Sequence, residues 1–182
     1  LHVCVLMLEN WRLLRYLVDS ELPLEIYFAA VLLHDIVEEY RASGRDVTSL
    51  LKQLFHGFLN TSNLQATHQI LTIIQILTKR PSEVDEKYLE RVIRSKSPYA
   101  IAAQIIKIFD RIHNLTTPRF SKSEREVRIY AAKTSYFVHQ SRVPAFIKKY
   151  YDSIIHELFT SELKKVGVKG SNPSKSSSPI KN

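Results

Sequence analysis

Apolar residues recur at helical spacing along most of the chain. In the segment 3–18, the apolar residues at 5, 6, 8, 13, 14, 17 and 18 follow a helical pattern. Short polar runs with Pro or Gly separate such segments, and we find no convincing β-strand pattern. The pattern predicts an all-α fold with about eight helices, over residues 3–18, 23–42, 46–59, 64–77, 83–94, 98–115, 121–141 and 143–165.

Two parts of this pattern stand apart. Residues 64–77 are apolar on nearly every side, which predicts a central helix. Residues 167–182 are rich in Gly, Ser, Pro and Lys, with almost nothing to bury, and are expected to form a disordered tail. We therefore expect one domain over residues 1–166. Because the chain starts at Leu1 rather than at a Met, the sequence leaves open an N-terminal truncation of that domain.

Composition and charge narrow the class of protein. The single cysteine, Cys4, excludes an internal disulfide framework and fits a reducing compartment, so a cytoplasmic location is expected. No apolar run approaches the ~20 residues that span a bilayer, so we expect no membrane partner. The net charge is +8, but no dense basic cluster is interleaved with aromatic residues. This argues against nucleic-acid binding, and an anionic small substrate fits the charge equally well.

The most informative stretch lies in the second predicted helix. An apolar run from Ala29 is followed by His34, Asp35, Glu38 and Glu39. Placing ionisable groups in a buried helix costs several kcal/mol unless something neutralises them. A bound cation is an economical explanation, since His34 and Asp35 offer a nitrogen and an oxygen ligand side by side.

A second apolar run, in segment 98–115, is interrupted in the same way by Asp110, with Asn114 one turn later. The simpler interpretation of Asp110 alone is an ion pair with a neighbouring Lys or Arg. Together with His34 and Asp35, however, Asp110 can converge on one cation inside a helical bundle. His2, the only histidine before His34, is then a candidate for a further ligand.

These segments resemble a known family. The pattern His…His-Asp…Asp is that of the HD-domain metal-dependent phosphohydrolases. Leu-Leu-His-Asp-Ile-Val-Glu-Glu at 32–39 and Asp-Arg-Ile-His-Asn at 110–114 are similar to motifs of RelA/SpoT-type alarmone (guanosine tetraphosphate) hydrolases. The stretch 76–79 resembles the Val-Thr-Lys between them. The likeness covers roughly residues 2–140 and implies an HD-domain helical bundle without a synthetase domain.

The resemblance also implies roles for individual residues. His2, His34, Asp35 and Asp110 would hold one metal ion, Mn²⁺ in this family, although the ligand chemistry alone suits Mn, Fe or Zn about equally. Two carboxylates, Glu38 and Glu39, would orient and deprotonate the attacking water. Three residues would contact the nucleotide: Asn114, Lys79 and Tyr130. The implied reaction is hydrolysis of the 3′-pyrophosphate of guanosine tetra- or pentaphosphate, giving GDP or GTP and pyrophosphate.

Two alternatives remain open at this point. Glu39 stands where the family has Asp, and the basic residues that grip guanine in the family have no counterpart in this chain. The chain could therefore be an HD phosphohydrolase for another nucleotide or phosphorylated metabolite. It could also be a catalytically silent HD module that senses a nucleotide or binds a partner.

Arg80 and Arg111 could offset substrate charge, and for Arg111 a structural role is equally compatible with the sequence.

Overall fold

All regular structure in the described part of the chain is helical, and no strand occurs in it. The computed structural model describes residues 2–10, 22–44, 49–50, 53, 64–80, 82–117 and 123–166. Its helices are α1 (His2–Glu9), α2 (Leu24–Ala42), α3 (Leu64–Leu77), α4 (Asp85–Ile93), α5 (Ala100–Thr116), α6 (Glu124–Gln140) and α7 (Ala145–Val166). None of them is both long enough and apolar enough to cross a bilayer.

The all-α prediction is thus confirmed for the described residues. Six of the eight predicted helices, α2 to α7, are present with ends close to those expected, and α1 covers the first half of a seventh. The eighth, over 46–59, lies outside the described residues apart from isolated helical positions at 49, 50 and 53. The predicted tail over 167–182 and the second half of the first predicted helix also lie outside them.

Local chemistry explains two of the helix boundaries. Gly44 follows α2 with φ of +76°, a left-handed conformation that glycine adopts without steric penalty, and it ends the helix. At the start of α6, the Ser123 hydroxyl accepts a hydrogen bond from the backbone N–H of Glu126, while the Glu126 carboxylate accepts one from the backbone N–H of Ser123. This reciprocal capping box satisfies donors that the first helical turn leaves unpaired.

The central helix of the fold is α5. It contacts each of the other six helices, and eleven of its seventeen residues are buried. Its first turn contains Ala100, Ala102 and Ala103, whose small side chains allow close approach by neighbouring backbones. The helix predicted to be central, α3, packs mainly against α2, α4 and α5 in the described part of the chain, so α5 has more neighbours than α3 does. An apolar helix surface shows that a helix is buried but does not show how many neighbours it has.

A buried amide joins α5 to two other parts of the fold. Gln104, fully buried, donates hydrogen bonds to the backbone oxygens of Val92 and Ile93 at the end of α4, both at 3.1 Å. Its side-chain oxygen accepts a hydrogen bond of 2.9 Å from the backbone N–H of Arg142, in the connection between α6 and α7. One side chain therefore pairs with three backbone groups at helix ends, of which the Val92 oxygen also accepts a hydrogen bond from the backbone N–H of Ser95.

We expect Gln104→Leu to lower the free energy of unfolding by about 3 kcal/mol, because the apolar side chain cannot make any of these three hydrogen bonds. Urea unfolding followed by circular dichroism measures the change. Gln75→Leu, at an exposed position of α3, is the matched control and should change stability by less than about 0.5 kcal/mol. Equal effects of the two substitutions would contradict the bridging role of Gln104.

Candidate functional site

His34 lies on the buried face of α2, with a fractional exposure of 1%. Its Nδ1 atom is 2.7 Å from the backbone oxygen of Val31. A carbonyl oxygen can only accept a hydrogen bond, so Nδ1 must carry the hydrogen. In the neutral imidazole the lone pair is then on Nε2, which has no hydrogen-bond partner among the described residues.

Nε2 of His34 lies 3.0 Å from Oδ1 of Asp35, a contact that is an ion pair when the imidazole is protonated. When the imidazole is neutral, both atoms present lone pairs. Two atoms that both present lone pairs repel each other unless a positive charge lies between them. Metal–ligand bonds of ~2.1 Å that meet at about a right angle place neighbouring ligand atoms ~3 Å apart. The separation of Nε2 and Oδ1 therefore fits two adjacent ligands of one divalent cation.

The remainder of the α2 motif is less buried than the sequence suggests. The Asp35 side chain is 65% exposed, and Glu39 is exposed as well. The expectation that the ionisable residues of this helix are all buried is wrong, because successive residues of a helix differ by about 100° in direction. Because His34 is buried and Asp35 is exposed, only His34 needs a polar partner within the protein. The Glu38 side chain, which the sequence predicts to be catalytic, lies outside the described part of the structure.

Asp110, on α5, is largely buried, and both of its carboxylate oxygens have partners. Oδ2 lies 2.9 Å from Nζ of Lys107, and Oδ1 accepts a hydrogen bond of 3.1 Å from the Asn114 amide. Burial by itself raises the pKa of Asp110. The charge of Lys107 and its hydrogen bond oppose this, with further help from His34 and Arg111, and the pKa lies below its ordinary value. Asp110 is thus an ionised carboxylate.

The helix that carries His34, α2, packs against the helix that carries Asp110, α5. The simpler interpretation of Asp110, an ion pair with a nearby Lys, holds, with Lys107 as the partner. In the described part of the chain, no three His, Cys, Asp or Glu side chains are grouped closely enough to hold a metal ion. The structure therefore brings His34 and Asp35 to 3.0 Å of each other and places the third predicted ligand, Asp110, on a helix packed against theirs.

The fourth predicted ligand, His2, is the first residue of α1, and its side chain is not among those described. Cys4, two residues later, is buried in the core, as its apolar sequence neighbours suggest. Burial raises the pKa of the Cys4 thiol, and the Asp35 carboxylate contributes to the increase. The helix that contains Cys4, α1, packs against α2, which contains Asp35.

Two of the predicted nucleotide contacts, Asn114 and Tyr130, meet at Asp110. The Asn114 side chain hydrogen-bonds both to Asp110 and to the hydroxyl of Tyr130. Burial raises the pKa of Tyr130, so its hydroxyl stays protonated and can donate. An amide and a phenol next to a carboxylate form a polar cluster that can hydrogen-bond a nucleoside.

Arg111 supports this cluster from the protein interior. Its guanidinium lies 4.2 Å from the centre of the Tyr130 ring, and Nε donates a 2.9 Å hydrogen bond to the Thr134 hydroxyl. Nη1 is 3.5 Å from Oδ2 of Asp85 on α4. With a fractional exposure of 2%, Arg111 cannot reach a substrate in this conformation, so of the two roles left open by the sequence the structure shows the structural one.

Lys79, the third predicted nucleotide contact, follows the end of α3 and lies at the edge of the same cluster. Its Nζ atom is 3.8 Å from the second oxygen of Asp85, and its side chain is 41% exposed. Asp85 therefore lies between the exposed Lys79 and the buried Arg111. Unlike Arg111, Lys79 is free to extend toward an anion in solvent.

The backbone around Lys79 is held by Arg91 of α4. The Arg91 guanidinium donates hydrogen bonds to the backbone oxygens of Ile76 and Thr78 and to both carboxylate oxygens of Glu83. Tyr88 adds a hydrogen bond from its hydroxyl to the backbone oxygen of Leu77. The hydrogen bond with Arg91, against the effect of burial, lowers the pKa of Glu83 to about 2.

Lys107, Asp85 and Thr134 are not predicted from the sequence to lie in the polar cluster around Asp110 and Arg111. Lys107 precedes Asp110 by three residues, a helical spacing that identifies it as a possible partner. Asp85 and Thr134 come from other helices, and no signal in the sequence links them to Arg111. Comparisons with protein-family models, with curated proteins and with solved structures find no match to this chain.

Glu83→Gln is expected to lower stability by about 1–2 kcal/mol above pH 5, because a neutral amide binds the Arg91 guanidinium more weakly. The pKa of Glu83 is depressed in the folded state, so its contribution is present above the unfolded value of about 4.3 and is lost as the pH falls toward 2. The difference from wild type should disappear over that interval. Urea unfolding between pH 7 and 2.5 measures it.

The control for this experiment is Glu90→Gln, which removes an exposed ion pair with Arg94. Exposed pairs contribute little, so Glu90→Gln should leave stability nearly unchanged at every pH. A Glu83→Gln deficit as large at pH 2.5 as at pH 7 would show that the carboxylate charge is not its cause.

Proposed function

We propose that this chain is a metal-dependent phosphohydrolase that removes the 3′-pyrophosphate of guanosine tetra- and pentaphosphate. The observation that carries the proposal is the buried Nε2 atom of His34, which has no hydrogen-bond partner among the described residues and lies 3.0 Å from Oδ1 of Asp35. The resemblance of residues 32–39 and 110–114 to HD-type alarmone hydrolases supports it further.

The types of ligand atom present suit one divalent ion, while no three such side chains are grouped within the described residues. His34 and Asp35 offer adjacent nitrogen and oxygen ligands, and Asp110, on a helix that packs against α2, is proposed to supply a second carboxylate. His2 begins a helix that also packs against α2 and is proposed as the fourth ligand. Mixed imidazole and carboxylate ligands suit Mn²⁺, the ion we propose. A bound divalent ion lowers the pKa of water and offsets phosphate charge.

The carboxylates of α2 are proposed to handle the proton of the attacking water. Glu39 lies one helical turn after Asp35, and both are on the exposed side of the helix. A carboxylate there can accept a proton from water beside the ligands, the role of a general base. Glu38 is proposed as its partner. Glu39 replaces the shorter Asp of the related hydrolases, so its reach differs by one methylene.

The nucleotide is proposed to lie against Asn114 and Tyr130, with phosphate toward Lys79. Asn114 and Tyr130 are joined by a hydrogen bond, and Asn114 also holds Asp110. Substrate contacts and a metal ligand are therefore part of one hydrogen-bonded network. The exposed Lys79 ammonium supplies positive charge at the edge of this network.

Asp110→Asn should lower the release of pyrophosphate from guanosine tetraphosphate in Mn²⁺ by about 100-fold or more, since an amide is a poor metal ligand. The Asn side chain keeps the size of Asp110, which limits structural disturbance. Enzyme-coupled detection of pyrophosphate measures the rate. Asp152→Ala, at an exposed position of α7 near His139, is the control and should retain the wild-type rate.

Three outcomes distinguish the hypotheses. Turnover of guanosine tetraphosphate supports the proposed substrate, whereas turnover of other phosphorylated nucleotides alone supports an HD phosphohydrolase of different specificity. Nucleotide binding without turnover at any divalent metal supports a silent sensing module. An unchanged rate in Asp110→Asn would contradict the proposed site directly.

Tyr130→Phe is expected to raise KM about three- to tenfold with a smaller change in kcat, because it removes a hydroxyl that touches substrate and Asn114 but not the reacting water. Steady-state kinetics measure both constants. Tyr136→Phe, on the same helix and 59% exposed, is the matched control and should change neither. A loss confined to kcat would place Tyr130 in the chemical step instead.

A further inference from the structure

Lys107 is a buried lysine held beside a proposed metal ligand. Only 12% of its side chain is exposed, and Nζ lies 2.9 Å from Oδ2 of Asp110. The same ammonium lies 5.2 Å from the centre of the Tyr88 ring, an arrangement in which the ring face attracts the cation. Lysine is rarely buried without a specific partner, and here Asp110 is that partner.

Lys107 and a metal ion can bind Asp110 at the same time. An ionised carboxylate has about four lone-pair sites, and the contacts with Lys107 and Asn114 use one on each oxygen. Coordination of a cation by Asp110 therefore does not require Lys107 to leave. The ammonium would then remain within a few ångströms of a doubly charged ion, with little water between them.

Two like charges at such a distance repel strongly in a partly buried site. From this geometry we infer that Lys107 is a built-in counter-charge that weakens the binding of a divalent cation at Asp110. This inference rests on the proposed metal site. Lys107 keeps Asp110 ionised and oriented when the cation is absent, and it lowers the net negative charge that the cation meets on arrival.

The inference has a functional consequence for the proposed reaction. If the site binds its cation weakly on its own, an anionic substrate increases the affinity for the cation most. The pyrophosphate group of the substrate supplies the negative charge that Lys107 cancels. Lys107 is thus a positioning residue that sets metal affinity through Asp110. A purely structural lysine would have the opposite signature, since its removal would disorder Asp110 and weaken metal binding.

The test measures Mn²⁺ affinity without reference to activity. Free Mn²⁺ is titrated into the full chain and quantified by its electron paramagnetic resonance signal, which is lost on binding. We expect Lys107→Met to bind Mn²⁺ roughly tenfold more tightly than wild type, since removing one nearby charge changes such equilibria by about that factor. Lys107→Arg keeps the charge and should match wild type.

Lys133→Met is the matched control. Lys133, on α6, pairs with Glu86 of α4, so Lys133→Met removes the same unit of charge from a lysine that is paired with a different carboxylate. Its Mn²⁺ affinity should stay within about twofold of wild type, because exposed charges are screened. Lys107→Gln provides a second neutral variant should the methionine substitution fail to fold, as judged by circular dichroism.

The possible results separate this inference from the proposed function. Tighter Mn²⁺ binding in both neutral Lys107 variants, with Lys107→Arg and Lys133→Met unchanged, supports it. Unchanged or weaker binding in the neutral variants overturns it while the metal site stands. If wild type and all Lys107 variants bind no Mn²⁺, the proposed metal site falls and the inference falls with it.

Discussion

The packing of α5 against every other helix is the constraint on which the rest of the structure depends. Lys107, Asp110, Arg111 and Asn114 follow the spacing i, i+3, i+4 and i+7, so they form one polar stripe along this helix. The other faces of α5 are apolar and fixed in the core. Because the helix cannot rotate without disrupting its contacts with α1, α2, α3, α4, α6 and α7, the stripe is held in place by the core itself.

Each charge on this stripe is balanced by a group close to it. Lys107 pairs with Asp110, and Arg111 contacts Asp85, Tyr130 and Thr134. Buried ion pairs add little net stability compared with apolar side chains of the same size, and losing one partner is costly. A fold selected for stability alone would gain little from such a stripe. Its presence in the most buried helix is consistent with a binding site.

The sequence predicts the helices well because helical spacing is a local property. It also predicts that His34 is buried, since its neighbours at helical spacing are apolar. It fails for the exposure of Asp35 and Glu39, because the direction of each side chain depends on which helices pack against α2. The partners of Arg111 could not be predicted either, since Asp85 and Thr134 are brought to it by the packing of α4 and α6 onto α5.

The hydrogen bond between His34 Nδ1 and the backbone oxygen of Val31 bears on how this region tolerates mutation. Main-chain atoms are shared by all amino acids, so replacing Val31 by another helix-forming residue of similar size preserves the acceptor. The acceptor that fixes the hydrogen on Nδ1 of His34 therefore does not depend on which side chain stands at position 31. Evolutionary drift around His34 can alter packing and specificity while the lone pair on Nε2 keeps its direction.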